Sequence, residues 1–315
     1  IKLFPDADLF TSLYLPEFLG PHKKRFDDVK INTTFLNNVP FKSKLISPMR
    51  LLSPFAFKSL DLSKYNVIIV SQTGAYFPNF IRKNKNQKLI CYTHTPPRYL
   101  YGYKTAREVS KFTKAVSSIA FHFLRMVDFS ASKNVDQFVA NSEEVKKRIE
   151  KFYRRDAIVV YPPVKIPNVI ETKTNNLKPK TYYLTGGRLA RSKGMGVIID
   201  AFIKNKKPLK VFGRGFAGYE DDLKSKIINH KSNIEFLGEV SDEEKFELMA
   251  QAKAFVFASY DEDFGITPVE AMGVGTPVIA YRSGGVKETV LDGKTGIFFD
   301  ENTPESLNNA ISKFE

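Results

Sequence analysis

The stretch ASYDEDFGITPVEAMGVGTPVIAYRSGG, residues 258–285, decides the reading of the fold. It opens at the end of the apolar run Ala254–Ala258, crosses an acidic loop, enters a helix at Thr267-Pro268 and returns through the β-rich run Pro277–Tyr281. Strand, helix, strand is a βαβ unit, and such units build parallel sheets covered on both faces. The rhythm continues outward. Tyr182–Thr185, Leu209–Phe212, Ile234–Leu237 and Gly296–Phe299 read as further strands. Ser241-Asp-Glu-Glu244 is a capping box, and Thr303-Pro304 opens the last helix. Upstream, Val67–Val70, Lys88–His94 and Gln137–Ser142 read as strands. The last leads into a helix over Ser142–Tyr153 with Ser142 as N-cap, and Ala157–Tyr161 follows. Residues 166–180 are polar and without apolar period, which marks a linker. The expected architecture is α/β: two doubly wound parallel-sheet domains, 1–165 and 181–315. Ligands of such sheets bind outside the carboxyl ends of the strands, and with two facing domains the default site is the cleft between them.

Composition sets bounds. With 43% hydrophobic and 26% charged residues over 315 positions, the chain is neither disordered nor a multi-span membrane protein. Cys91 stands alone, so no intrachain disulfide forms and a reducing compartment is the simplest home. His22, His94, His122 and His230 lie far apart and give no zinc spacing.

The net charge of +14 is unevenly divided. Residues 1–170 carry 28 Lys and Arg against 13 Asp and Glu, hence +15; residues 171–315 carry 20 against 21, hence −1. A basic half attracts nucleic acid, anionic headgroups or phosphorylated substrates, although a merely solvated face has the same composition. Residues 22–25 read His-Lys-Lys-Arg. Residues 104–126 set Lys104, Arg107, Lys111, Lys114 and Arg125 among Phe112, Ile119, Phe121 and Phe123. That stretch suits a membrane surface, and equally a core-facing helix with solvated charges.

Two further turns carry candidate chemistry. Thr185-Gly-Gly-Arg-Leu-Ala-Arg-Ser-Lys-Gly194 lies between a strand and a helix. Gly186 and Gly187 permit close backbone approach, Arg188 offers a planar fork for phosphate, and Lys193 a mobile charge. The spacing is not that of a Walker loop. Phe212-Gly-Arg-Gly215 is a second, weaker glycine turn on the same sheet rim. In the opening stretch, Glu262 stands in the loop and Glu270 in the first helical turn, with the backbone N–H groups of Phe264-Gly265-Ile266 between them at a helix start. Glu262 could also be a solvated loop acid, and Thr267-x-x-Glu270 a capping box. Asp261-Glu-Asp263 has a metal-chelating form; the non-metal reading is preferred, because Arg188 and Lys193 already offer charge for a diphosphate.

Together these motifs resemble the retaining glycosyltransferases of family 4, which have the GT-B fold. The resemblance rests on Glu262-x7-Glu270 followed by Ala-Met-Gly-Val-Gly-Thr-Pro-Val-Ile-Ala280, and on Gly186-Gly-Arg188 with Lys193. Tyr92-Thr-His-Thr-Pro96, Val139-Ala-Asn-Ser142, Tyr161-Pro-Pro-Val164 and Glu262-Asp-Phe-Gly-Ile-Thr-Pro-Val-Glu270 are similar to the WbaZ-like mannosyltransferases of bacterial surface-polysaccharide synthesis. The resemblance implies that Arg188 and Lys193, with Gly187 and Gly213 nearby, hold the donor diphosphate. It gives Glu262 and the backbone of Phe264, Gly265 and Ile266 to the donor sugar, and Glu270 to the ribose. Val240 would line the base, and His94 would face the reacting sugar.

It further implies transfer with retention from a nucleotide sugar, GDP-mannose above all, to a glycan or lipid-linked acceptor, with no metal and no cofactor. The place would be the inner face of the cytoplasmic membrane, with the basic N-terminal domain docked on anionic lipid. Family members open with a strand and a Gly-rich loop and close with a returning helix, so the expectation is a chain lacking both. Rival readings are a UDP-sugar-dependent transferase, a non-catalytic nucleotide-sugar-binding module, a Rossmann dehydrogenase and a nucleic-acid-binding protein. The glutamate pair argues against the dehydrogenase, and no nucleic-acid partner is expected.

Overall fold

The computed structural model describes residues 4–103, 111–167, 180–216, 218–228 and 230–315, with backbone alone at 21–22 and 111–117. Lys104 and Arg107, and positions 168–179 of the expected linker, lie outside the described residues. Contacts divide the chain into two compact units. One comprises Ile1–Leu100, Ser118–Ala140 and Lys146–Ile158; the other comprises Tyr101–Ser117, Asn141–Val145 and Val159–Glu315.

The first elements along the chain are β1 (Leu9–Thr11) and β2 (Ile31–Thr33), a two-stranded parallel pair, then the short helix α1 (Ser53–Lys58). They are followed by β3 (Val67–Gln72), β4 (Lys88–Thr93), α2 (Lys111–Ser132), β5 (Gln137–Ala140), α3 (Glu143–Tyr153) and β6 (Ala157–Val159). These last strands form a sheet in the order β3-β4-β5-β6. Period-2 alternation sends Leu89, Cys91 and Thr93 of β4 inward beside Phe138 and Ala140 of β5. Burial pushes the Cys91 thiol up to about 11, so it behaves as a small core hydrophobe. On β3 the alternate face is exposed at Val67 and Ile69.

The second unit contains β7 (Tyr183–Gly186), α4 (Met195–Asn205), β8 (Leu209–Phe212), α5 (Tyr219–Ile228), β9 (Ile234–Gly238) and α6 (Asp242–Gln251). It continues with β10 (Phe255–Phe257), α7 (Ile266–Gly273), β11 (Val278–Tyr281), α8 (Val286–Thr289), β12 (Gly296–Phe299) and α9 (Pro304–Phe314). Six parallel strands run in the order β12-β11-β10-β7-β8-β9. Successive side chains feed two cores, one on each face. Tyr183, Val211, Val256 and Ile279 meet α4 and α9 on one side; Leu184, Phe212, Phe255 and Val278 meet Met249, Ala271 and Val286 on the other. Burial on both faces explains why these strands read as nearly continuous apolar runs. The caps hold locally: Ser241 Oγ accepts from the Glu244 amide (3.1 Å) and Thr303 Oγ1 from the Ser306 amide (3.2 Å).

The order reverses at β7, which pairs with β8 on one side and β10 on the other. That switch point is where a doubly wound sheet opens a crevice at its carboxyl edge. It puts the loop after β7 beside the loop after β10, the two segments singled out by their chemistry.

Leu184, fully buried in the central strand, tests this packing. Leu184→Ala should lower the unfolding free energy by about 2–5 kcal/mol in urea denaturation followed by circular dichroism. Leu291→Ala, at an exposed position, should stay within about 0.5 kcal/mol.

Candidate donor-binding site at the sheet switch point

The loop after β7 turns through Gly187, whose φ of 111° falls where only glycine is unstrained. Its amide donates to the Phe212 carbonyl (3.1 Å), while the Gly213 amide donates to the Gly238 carbonyl (2.6 Å). A Cβ on Gly213 would sit 1.8 Å from the Gly187 oxygen. Gly213 therefore lets the turns after β7 and β8 touch, a packing reason for a residue expected at the ligand. The loop ends at Gly194, also left-handed, where a Cβ would meet the Ala258 carbonyl at 2.1 Å. The β7–α4 and β10–α7 loops thus lie in direct contact, and the Tyr260 amide donates to the Ser192 carbonyl (3.0 Å).

That contact brings two expected residues together. Lys193 Nζ lies 2.5 Å from Glu262 Oε2, in an ion pair whose carboxylate is largely buried. Ser259 Oγ donates to the same oxygen. The backbone behind Glu262 is fixed from the other side: its carbonyl accepts from the Gly285 amide (2.8 Å), and Ser283 Oγ accepts from the Asp261 amide (3.1 Å). A Cβ on Gly284 would meet the Glu262 oxygen at 2.3 Å, and one on Gly285 the Asp263 oxygen at 2.5 Å. Asp263 also gives its carbonyl to Ser142 Oγ of the same unit (2.5 Å). Glu262 is accordingly held in place by hydrogen bonds on both its carboxylate and its backbone. Ser259 and the Ser283–Gly285 turn were not read from the sequence as site residues; the adjacent glycines closing the opening stretch were their only signal.

Arg188 is exposed, with its guanidinium 5.8 Å from the Phe216 ring centre in a cation–π contact. No described acid pairs with it. Phe264 is buried against Tyr161 (ring centres 5.7 Å). Gly265 is the N-cap of α7 in a left-handed conformation, and Ile266 is exposed. Among the described residues no acceptor takes a hydrogen bond from the amides of Phe264, Gly265, Ile266 or Thr267. An anion or sugar hydroxyl is the natural partner for such a helix start.

Two expectations are corrected. The helix begins at Ile266, before Thr267-Pro268, because the left-handed Gly265 starts it. Thr267 therefore lies inside α7, no side chain caps the helix, and Glu270 falls beyond its first turn. The capping-box alternative for Glu270 does not form. Its carboxylate instead meets Lys245 Nζ of α6 at 2.9 Å. Val240, in the turn before α6, is half-buried against the second core. His94 follows β4 in the first unit, with Nε2 3.0 Å from Ser71 Oγ and its ring edge-on to Tyr92 (5.0 Å). Asp261 has a φ of 47° and lies beside Ser283, and the described residues contain no group of three potential metal ligands.

The Lys245–Glu270 pair makes a pH prediction. Burial, the largest single influence on Lys245, pulls its ammonium down. The bonds and charges of Glu270 and Asp242 together outweigh burial, and the ammonium titrates above its ordinary value. A raised Lys value stabilises fully below the unfolded value of about 10.4, and that contribution is lost as pH rises through the higher folded value. The Tm gap between wild type and Lys245→Met/Glu270→Gln should stay level from about pH 8 to 10 and narrow above about 10.5. A gap unchanged at about pH 11.5 would contradict the pairing.

The fold has counterparts among known proteins. Residues 168–315 match the family described as "Glycosyl transferases group 1". The chain is 26% identical over 291 residues to the alpha-1,3/1,6-mannosyltransferase ALG2 of Dictyostelium discoideum, covering 79% of this chain and 67% of that protein. It is 30% identical over 244 residues to the O-antigen chain mannosyltransferase RfbU of Salmonella typhimurium, covering 73% and 65%. Among solved structures, Anabaena HepE in complex with UDP and glucose superposes with a TM-score of 0.65 at 20% identity, covering 93% and 79%. The chain spans 50% to 72% of the length of these and similar curated relatives. The chain thus has the GT-B fold, and its residues 168–315 match the group 1 glycosyltransferase model.

Proposed function

We propose that the chain is part of a retaining glycosyltransferase that moves mannose from GDP-mannose to a glycan or lipid-linked acceptor, without metal, at the cytoplasmic face of a membrane. The observation that carries the reading is the Lys193–Glu262 pair, fixed at the switch point on the Arg188 loop and followed by the α7 helix start. In this reading the diphosphate lies against Arg188 and Lys193, Glu262 and the α7 amides meet the sugar, and Glu270 and Val240 meet the nucleoside. His94 meets the reacting sugar. The anomeric C–O bond to phosphate breaks as the acceptor oxygen bonds the same carbon on the same face, and the departing diphosphate takes the acceptor's proton. Positive charge placed where leaving-group charge grows is worth about 3–4 kcal/mol per well-aligned donor. The names of ALG2 and RfbU support mannose, and O-antigen synthesis supports the WbaZ-like subgroup.

β3 is an edge strand with Val67 and Ile69 exposed, and a parallel edge of this kind can accept a further strand.

A thermal-shift and calorimetric panel of GDP- and UDP-sugars tests the reading and separates GDP from UDP specificity. Arg188→Ala should weaken nucleotide-diphosphate binding about tenfold or more, and EDTA should leave it unchanged. Glu262→Gln should abolish transfer while nucleotide binds at least as tightly, because Lys193 loses its competing carboxylate. EDTA-sensitive binding that ignores Arg188→Ala would overturn the metal-free diphosphate site. Tight binding of a nucleotide sugar with no transfer would favour the non-catalytic module.

A further inference from the structure

Residues 29–60 hold five cations (Lys30, Lys42, Lys44, Arg50, Lys58) and no Asp or Glu. Within this stretch a 3-10 turn, Pro48–Leu52, runs directly into α1. Its inner face is ordinary core: Met49 and Ala56 are buried with Leu36, and Ser53 is fully buried. A surface helix should then present a polar outer face. This one presents Leu51, Leu52 and Phe55, all exposed, Phe55 at 66%. Just before it, Phe41 is 78% exposed and has a φ of 55°, a left-handed conformation that is a genuine outlier for a bulky aromatic residue. Backbone strain of this kind clusters at functional sites.

The patch is not isolated. Arg50 lies 5.8 Å from the Tyr99 ring centre, and Tyr99 packs edge-on against Phe121 of α2 (5.7 Å). No helix among the described residues is long and apolar enough to cross a membrane. Exposed aromatic and aliphatic side chains interspersed with lysines and free of acids fit the boundary between headgroups and acyl chains.

We propose that the segment 41–58 is a docking surface for an anionic lipid bilayer, with Phe41, Leu51, Leu52 and Phe55 entering the acyl boundary and Lys44 and Lys58 meeting the headgroups. The proposal deepens the lipid-linked acceptor of the proposed function and rests on that reading for its purpose. It moves the main contact from the basic stretch 104–126 to a segment that stretch does not include.

Flotation with phosphatidylcholine vesicles, with and without phosphatidylglycerol, tests it. The 315-residue chain should float with the anionic vesicles and be released by about 1 M NaCl. Phe41→Ser/Phe55→Ser should lower the partition coefficient about tenfold or more. Lys44→Glu/Lys58→Glu should lower it and flatten the salt dependence. Ile228→Ser, at an exposed site in the second unit, should change nothing. All variants should keep the wild-type Tm and nucleotide-induced thermal shift. Equal flotation of Phe41→Ser/Phe55→Ser and wild type would overturn the proposal, as would failure of the wild type to float. A dimer dissociated by Phe41→Ser/Phe55→Ser would give the patch to a second copy and also overturn it. Flotation intact with no response to any nucleotide sugar would defeat the transferase reading and leave the docking surface standing.

Discussion

The close approach of the loops after β7 and β10 is the constraint on which the site depends. It needs a residue without a side chain at Gly194, since a Cβ there would overlap the Ala258 carbonyl. With that contact made, Lys193 reaches Glu262 and the Ser192 carbonyl meets the Tyr260 amide. The switch of strand order at β7 places the two loops side by side, and the Ser283–Gly285 turn after β11 braces the acidic loop from behind. Three strand ends thus fix one carboxylate. An arrangement pre-set in this way does not have to be organised at the moment charge develops.

Most of the second unit was legible in the sequence because each strand is buried on both faces and reads as an apolar run. Tyr183–Gly186, Leu209–Phe212 and Val278–Tyr281 fall within a residue of their expected bounds. The Lys193–Glu262 meeting was not legible as a contact: 69 residues separate the pair, and only the sheet order closes the gap. The start of α7 was misread because Thr267-Pro268 has the letters of a cap, whereas the left-handed Gly265 places the cap two residues earlier. Glu270 was then misplaced with it. The first elements of the chain were missed for a different reason. β1 and β2 are three residues each and α1 is six, too short for a period to emerge.

The two units differ in charge as well as in fold. The second is close to neutral in sequence, and its candidate site sets Arg188 beside Phe216 and Lys193 against Glu262. Local placement then matters more than net field. The first half carries the whole +15 excess, and its acid-free segment coincides with exposed apolar side chains. A diffuse field of that kind suits a broad anionic surface better than one small ligand.

Hydrogen–deuterium exchange of the full chain with and without GDP tests the central claim most directly. The account predicts protection concentrated at residues 187–194 and 258–267, with the four undonated amides of Phe264, Gly265, Ile266 and Thr267 among the most slowed. Protection confined to other segments, or bound GDP that leaves both loops unprotected, would contradict it.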